Sequence, residues 1–113
     1  MLTITERTID EVTILDLDGS IRLGDEESRL RDTIKGLLDA GRNKILLNME
    51  KVDYIDSSGI GALVYSFTTV RRHGGQLKLM NLSDRVQDVL TLTKLLSVFD
   101  IFNNEEEAVR SFM

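Results

Sequence analysis

The 113-residue chain has no cysteine, no proline and no tryptophan, and its one histidine is His73. Without cysteine there is no disulfide framework, no thiolate zinc site and no cysteine nucleophile, which suits a reducing cytoplasm, the expected location. Without proline, and without any Ser/Gly-rich tract or internal repeat, the usual marks of a linker are missing. Residues 1–113 are therefore expected to form one domain around one core. Positive charge is scarce as well: fourteen lysines and arginines against nineteen acids leave a net charge of −5. That balance repels phosphate backbones and argues against direct nucleic-acid binding. The longest apolar run, Ile60 to Tyr65, is far short of the roughly 20 residues that span a bilayer. The N-terminal stretch meets charge at Glu6 and Arg7, so neither a membrane helix nor a signal peptide is expected.

What is present is periodicity. Leu2 and Ile4, then Val12, Ile14 and, after a break at Leu15, Leu17, follow the period of two on either side of Asp10-Glu11 expected of a β-hairpin. Leu30, Ile34, Leu37 and Leu38 mark one face of a helix that starts near Asp25-Glu26-Glu27, where acids suit the dipole, and stops at Gly41. Lys44 to Met49 is a nearly continuous apolar run, the mark of a central strand covered on both faces. Ile60, Leu63, Val64 and Phe67 form a second helical stripe ending at His73-Gly74-Gly75. Gln76 to Met80 alternates as a strand, and Ser83 caps a helix carrying Val86, Val89 and Leu90. Val98 to Phe102 reads as a last strand, and Asn104-Glu105-Glu106-Glu107 opens a helix with Ala108 and Phe112 inward. The order ββαβαβαβα predicts an α/β domain with a mixed, mostly parallel sheet and helices packed chiefly on one face.

The segment Asp53-Tyr54-Ile55-Asp56-Ser57-Ser58-Gly59-Ile60-Gly61 sets two hydroxyls and two carboxylates at a strand-to-helix corner, and open α/β sheets tend to place function at such carboxyl ends. One serine can be a plain N-cap. That is the reading the residues alone favour; the other is that a phosphate on Ser57 or Ser58 would meet the free N–H groups and the dipole of the helix start, and two adjacent serines allow one to cap while the other stays exposed. A serine hydrolase is excluded: His73 lies at the far end of the same helix, about 20 Å away at a rise of about 1.5 Å per residue. His73 instead suits a solvated helix C-terminus. Gly59-Ile60-Gly61 lacks the third glycine of a dinucleotide loop, having Val64 there, and no P-loop lysine follows. Asp53 and Asp56 without histidine or a calcium-loop spacing make no dedicated metal site. No cofactor, no metal and no enzymatic activity are expected.

Asp56-Ser57-Ser58-Gly59-Ile60-Gly61 resembles the regulatory motif of the anti-sigma factor antagonist family, the bacterial branch of the STAS domains, at every position. Lys44 to Met49 is similar to that family's central strand, and Gly74 to Leu82 to its following strand and turn; the likeness covers about Leu2 to Phe112. The resemblance implies a binding protein whose unphosphorylated form holds an anti-sigma factor serine kinase and frees the sigma factor for transcription. It further implies that Ser57 is the phosphate acceptor, with Ser58 as the second candidate, and that a PP2C-type phosphatase reverses the modification. Asp56, Ser57, Ser58, Gly59, Ile60, Gly61 and Arg22 are the implied partner-binding residues. The alternative is a STAS-fold accessory or scaffold subunit of a transporter or signalling assembly, without serine phosphorylation. One departure stands out: many antagonists read Gly-Glu-Ile-Asp after the second strand, where this chain has Gly19-Ser20-Ile21-Arg22. Arg22 is thereby available to pair with a phosphate on Ser57, unless it is simply a solvated loop arginine.

Overall fold

In the computed structural model, which describes residues 1–113, the alternating N-terminal residues form a hairpin. Strand β1 (Leu2–Ile9) pairs antiparallel with β2 (Val12–Ile21) through a two-residue turn. Asp10 and Glu11 occupy that turn at φ 48° and 69°, the left-handed pair that a tight hairpin matching strand twist requires. Strand β3 (Lys44–Ile55) then adds parallel to β2, β4 (Gln76–Met80) parallel to β3, and β5 (Ile101–Phe102) parallel to β4, giving the sheet order β1-β2-β3-β4-β5. The connections are the helices α1 (Asp25–Asp39), α2 (Ser57–Arg72) and α3 (Asp84–Leu92), and α4 (Glu105–Arg110) follows β5.

The period-two pattern of the strands decides which helix goes where. Leu15, Leu17 and Ile21 of β2 with Ile45, Leu47 and Met49 of β3 meet the apolar stripes of α1, α2 and α3 in the main core. Val12, Ile14, Leu46 and Met80 point the other way and are covered by Ala108, Val109 and Phe112 at the α4 end. The expected α/β class, with a mostly parallel mixed sheet and helices chiefly on one face, is the observed architecture. Gly41 and Gly74 take left-handed φ of 79° and 72° just past α1 and α2. The next amides, of Arg42 and Gly75, close back on Leu37 and Val70 carbonyls at 2.9 and 3.0 Å, which is how glycine stops a helix.

Two elements differ from the sequence expectation. The central strand does not stop at Met49 but continues through polar Glu50 and Lys51 to Ile55, with register shifts against β2 between Asp16 and Asp18 and between Gly19 and Ser20. The bulges let Val52 and Ile55 return to the core side. At the C-terminal end, Leu96–Val98 is a 3₁₀ turn and only Ile101 and Phe102 pair as strand. Phe99 explains this: it turns into the main core and meets Phe67 edge-on at a centroid distance of 5.3 Å. A strand reaching back to Val98 would have to give up that packing.

Candidate functional site

Strands β2 and β3 end together, Ile21 beside Ile55, so the loop Arg22–Gly24 lies against Asp56–Ser58 at the carboxyl edge of the sheet. Asp56 binds the two loops together. One carboxylate oxygen accepts the Gly59 amide at 2.9 Å and caps α2, and the other accepts the Leu23 amide at 3.1 Å. The cap is therefore Asp56 and not a serine, because only a two-oxygen side chain at this corner reaches both amides. The Gly59 amide first, and the Leu23 amide second, hold the Asp56 carboxyl below the usual aspartate range, since hydrogen bonds to the charged form favour it.

With the cap supplied by Asp56, Ser57 and Ser58 become the first two residues of α2, and no hydrogen bond within the chain holds either hydroxyl. Ser57 is exposed and Ser58 is half-buried. The two glycines differ. A Cβ on Gly59 would overlap the Ile21 carbonyl oxygen and the Ile55 side chain, so glycine here lets the helix start press against the end of β2. A Cβ on Gly61 would meet only the Arg31 guanidinium at 4.0 Å; nothing inside the chain requires glycine there.

Ile60 is 7% exposed and belongs to the main core, so the expected contact surface does not include its side chain, nor buried Gly59. The stripe Ile60, Leu63, Phe67 faces the sheet, and the outward face of α2 carries Ser57, Gly61 and Tyr65 at four-residue steps. Leu23, 74% exposed, adjoins Asp56. Tyr65 lies under Arg31, whose guanidinium is 4.7 Å from the ring centre and bonded to Glu27 at 2.8 Å.

Arg22 sits in the loop beside Ser57 as expected, but its guanidinium rests over Tyr54, 5.1 Å from the ring centre. Arg85, from the first turn of α3, approaches the same ring at 5.9 Å. Ser20 is buried, and its hydroxyl donates to both oxygens of Glu26 at 2.9 Å; Glu26 also accepts the Arg22 amide at 3.0 Å. Asp53 is exposed on β3, and His73 ends α2 with Nδ1 at 2.9 Å from the Thr69 carbonyl. Sequence reasoning missed Leu23, Tyr54, Tyr65 and Arg85. Tyr54 stood inside the motif segment as a large aromatic on a strand otherwise ending in aliphatics, a readable signal. Arg85 becomes relevant only once α3 starts beside β3, where the Ser83 hydroxyl donates to the Val52 carbonyl at 2.9 Å.

The arrangement offers an exposed hydroxyl beside a fixed carboxylate, with no base of its own aimed at it.

A model of the STAS domain family matches residues 3–108. The anti-sigma-B factor antagonist of Bacillus subtilis (strain 168) is 35% identical over 81 residues, covering 72% of this chain and 73% of that protein. Among solved structures, an anti-sigma factor antagonist from Mycobacterium paratuberculosis aligns with a TM-score of 0.82 at 14% identity, over 99% of this chain and 94% of that one. The Bacillus cell fate determinant SpoIIAA in its phosphorylated form aligns at 0.76 and 21% identity, over 98% of this chain and all of the other, 100%. At those identities the two structures speak for the fold. No helix of the chain is long and apolar enough to cross a membrane.

Proposed function

The chain belongs to the STAS domain family and, within it, to the anti-sigma factor antagonists, and on that footing we propose that it is a cytoplasmic binding protein switched by phosphorylation of Ser57. Unphosphorylated, it holds an anti-sigma factor that is also a serine kinase, and so frees a sigma factor for transcription. The kinase transfers the γ-phosphoryl group of ATP to the Ser57 hydroxyl oxygen, with ADP leaving and the hydroxyl proton lost. A PP2C-type phosphatase hydrolyses the phosphoester. The domain is substrate and ligand in this cycle rather than catalyst.

The observation that carries this reading is the capping of α2 by Asp56, which leaves the Ser57 hydroxyl exposed and unengaged on the first residue of the helix. A phosphate there adds about −1.5 to −2 charge next to a carboxylate that stays ionised. The free N–H groups of the helix start tolerate the added charge, so the backbone need not move. A partner surface shaped for a neutral hydroxyl must instead desolvate or repel a dianion, and a loss of about 3 kcal/mol lowers affinity by roughly a hundredfold. Half-buried Ser58 is the poorer acceptor.

The test is affinity capture from source-cell lysate with the unmodified protein and Ser57→Asp side by side. The expected result is a protein with serine-kinase activity retained only by the unmodified bait, and phosphopeptide mass spectrometry placing its phosphate on Ser57. Equal retention by both baits, or phosphate on Ser58 alone, would overturn the reading.

A further inference from the structure

We propose that Arg22 and Arg85 together form a receptor for the phosphate on Ser57, and that Tyr54 is the surface on which their guanidinium groups wait while Ser57 is unmodified. The inference rests on the reading that Ser57 carries the phosphate, and it assigns a role to Tyr54 and Arg85 that the hexapeptide motif does not contain.

Four arginines of this chain, Arg7, Arg31, Arg42 and Arg110, are held in ion pairs. Arg22 and Arg85 are in none, as are Arg29, Arg71 and Arg72; what sets Arg22 and Arg85 apart is that they share one ring. They reach one aromatic ring from two different elements, Arg22 from the loop after β2 and Arg85 from the first turn of α3, at 5.1 and 5.9 Å from its centre. Two carboxylates at this edge, Asp56 and Glu26, are committed elsewhere. Asp56 accepts the Gly59 and Leu23 amides, and Glu26 accepts the Ser20 hydroxyl and the Arg22 amide. Exposed Asp53 and Asp84 make no ion pair with either guanidinium. The donors of both forks are thus free.

The ring that parks them lies three residues before Ser57. The hydrogen bond from the Leu23 amide to Asp56 ties the residue next to Arg22 to the residue next to Ser57, which keeps the Arg22 backbone beside the acceptor. A guanidinium over an exposed ring is weakly held. A phosphomonoester dianion offers the same group charge-assisted, bidentate hydrogen bonds that match its fork. On phosphorylation Arg22 and Arg85 leave the ring for the phosphate. The switch then has an intramolecular half: two cations are drawn to Ser57 and the Tyr54 ring is bared in the same event.

The test installs phosphoserine at position 57 by genetic code expansion, so no kinase is needed. It follows the second phosphate ionisation by ³¹P NMR in the full chain, in Arg22→Gln, in Arg85→Gln and in the double variant. The three variants change only exposed arginines, and circular dichroism checks that they fold. The expected result is a phosphate ionising at least about 0.5 pH unit lower with both arginines than with neither, the single variants falling between. The side-chain Nε–H resonances of Arg22 and Arg85 should move as the phosphate ionises. Ionisation identical in all four would overturn the proposal. So would equal movement of those resonances when millimolar inorganic phosphate is added to the unmodified protein, which would make the cluster a site for free anions. Because the phosphate is installed directly, failure here leaves the kinase question intact, and failure of that reading shows only in the capture experiment.

Discussion

Arg7 and Arg22 lie toward opposite ends of β2, and the chain treats them differently. Arg7, on β1, donates to Asp16 at 2.7 and 3.1 Å and to Glu105 at 3.1 Å, and Asn48 donates to the same Asp16 at 2.8 Å. Nearby Lys78, 8% exposed, donates to the Ser111 carbonyl and hydroxyl at 2.9 and 3.0 Å, close to the rings of Phe102 and Phe112. At the carboxyl edge, Arg22 has only a ring, and the hydroxyls of Ser57 and Ser58 have no partner. The contrast has a physical origin. Helix α4 is six residues long, too short to hold itself, so polar groups are used to fasten it. The start of α2 is fastened by Asp56 and by the close approach of Gly59, which releases its other polar groups for outside use.

That contrast can be tested by four substitutions. Gly59→Ala should have the largest effect, about 3 kcal/mol of lost stability in urea unfolding, because the new Cβ meets the backbone oxygen of Ile21. A cost no greater than that of an open helical position would mean the edge is not pressed against β2. Lys78→Ala comes next, at about 2 kcal/mol, as a charged donor to the end of α4 is lost. Hydrogen exchange should then rise in α4 before it rises in α2, and uniform loosening would contradict the fastening role.

Gly61→Ala should raise stability by about 0.5–1 kcal/mol, since a half-buried helical glycine is replaced without a clash. A loss instead would show that the chain itself needs this glycine. Arg7→Gln should cost less than about 1 kcal/mol at pH 7, because the ion pairs are more than one-third exposed on the arginine side at 37%. Its sharper signature is in acid. Arg7 above all holds the Asp16 carboxyl below its ordinary value. That stabilisation is fully present above the ordinary aspartate range near about 3.9 and is lost as the pH falls through the depressed value. Arg7→Gln should flatten this acid limb of the stability curve, and an unchanged slope would remove the pairing from the account.

The architecture was legible because the strands alternate and the helices repeat apolar residues every three to four positions, and because Gly41 and Gly74 mark helix ends. The continuation of β3 past Glu50-Lys51 was not, since each bulge against β2 shifts the inward face by one residue, first to Val52 and then to Ile55. Nor was the retreat of the last strand, which depends on Phe99 finding Phe67 across the core. At the site, the hexapeptide named the right corner. It did not reveal which of three polar residues caps the helix, because that choice is fixed by the Leu23 amide, 33 positions away in sequence. Ile60 shows the opposite lesson: its place in the helical stripe with Leu63 and Phe67 already assigned it to the interior, and membership of a motif does not bring a side chain to the surface.

The carboxylate bridge from Asp56 to Leu23 also bears on time. By joining two loops before any partner arrives, it removes most of the ordering that docking would otherwise demand. For a partner that settles on this edge, the surface is ready-made, and changes at its centre alter chiefly how long an encounter lasts. For such a partner, residence time rather than shape is the quantity expected to vary.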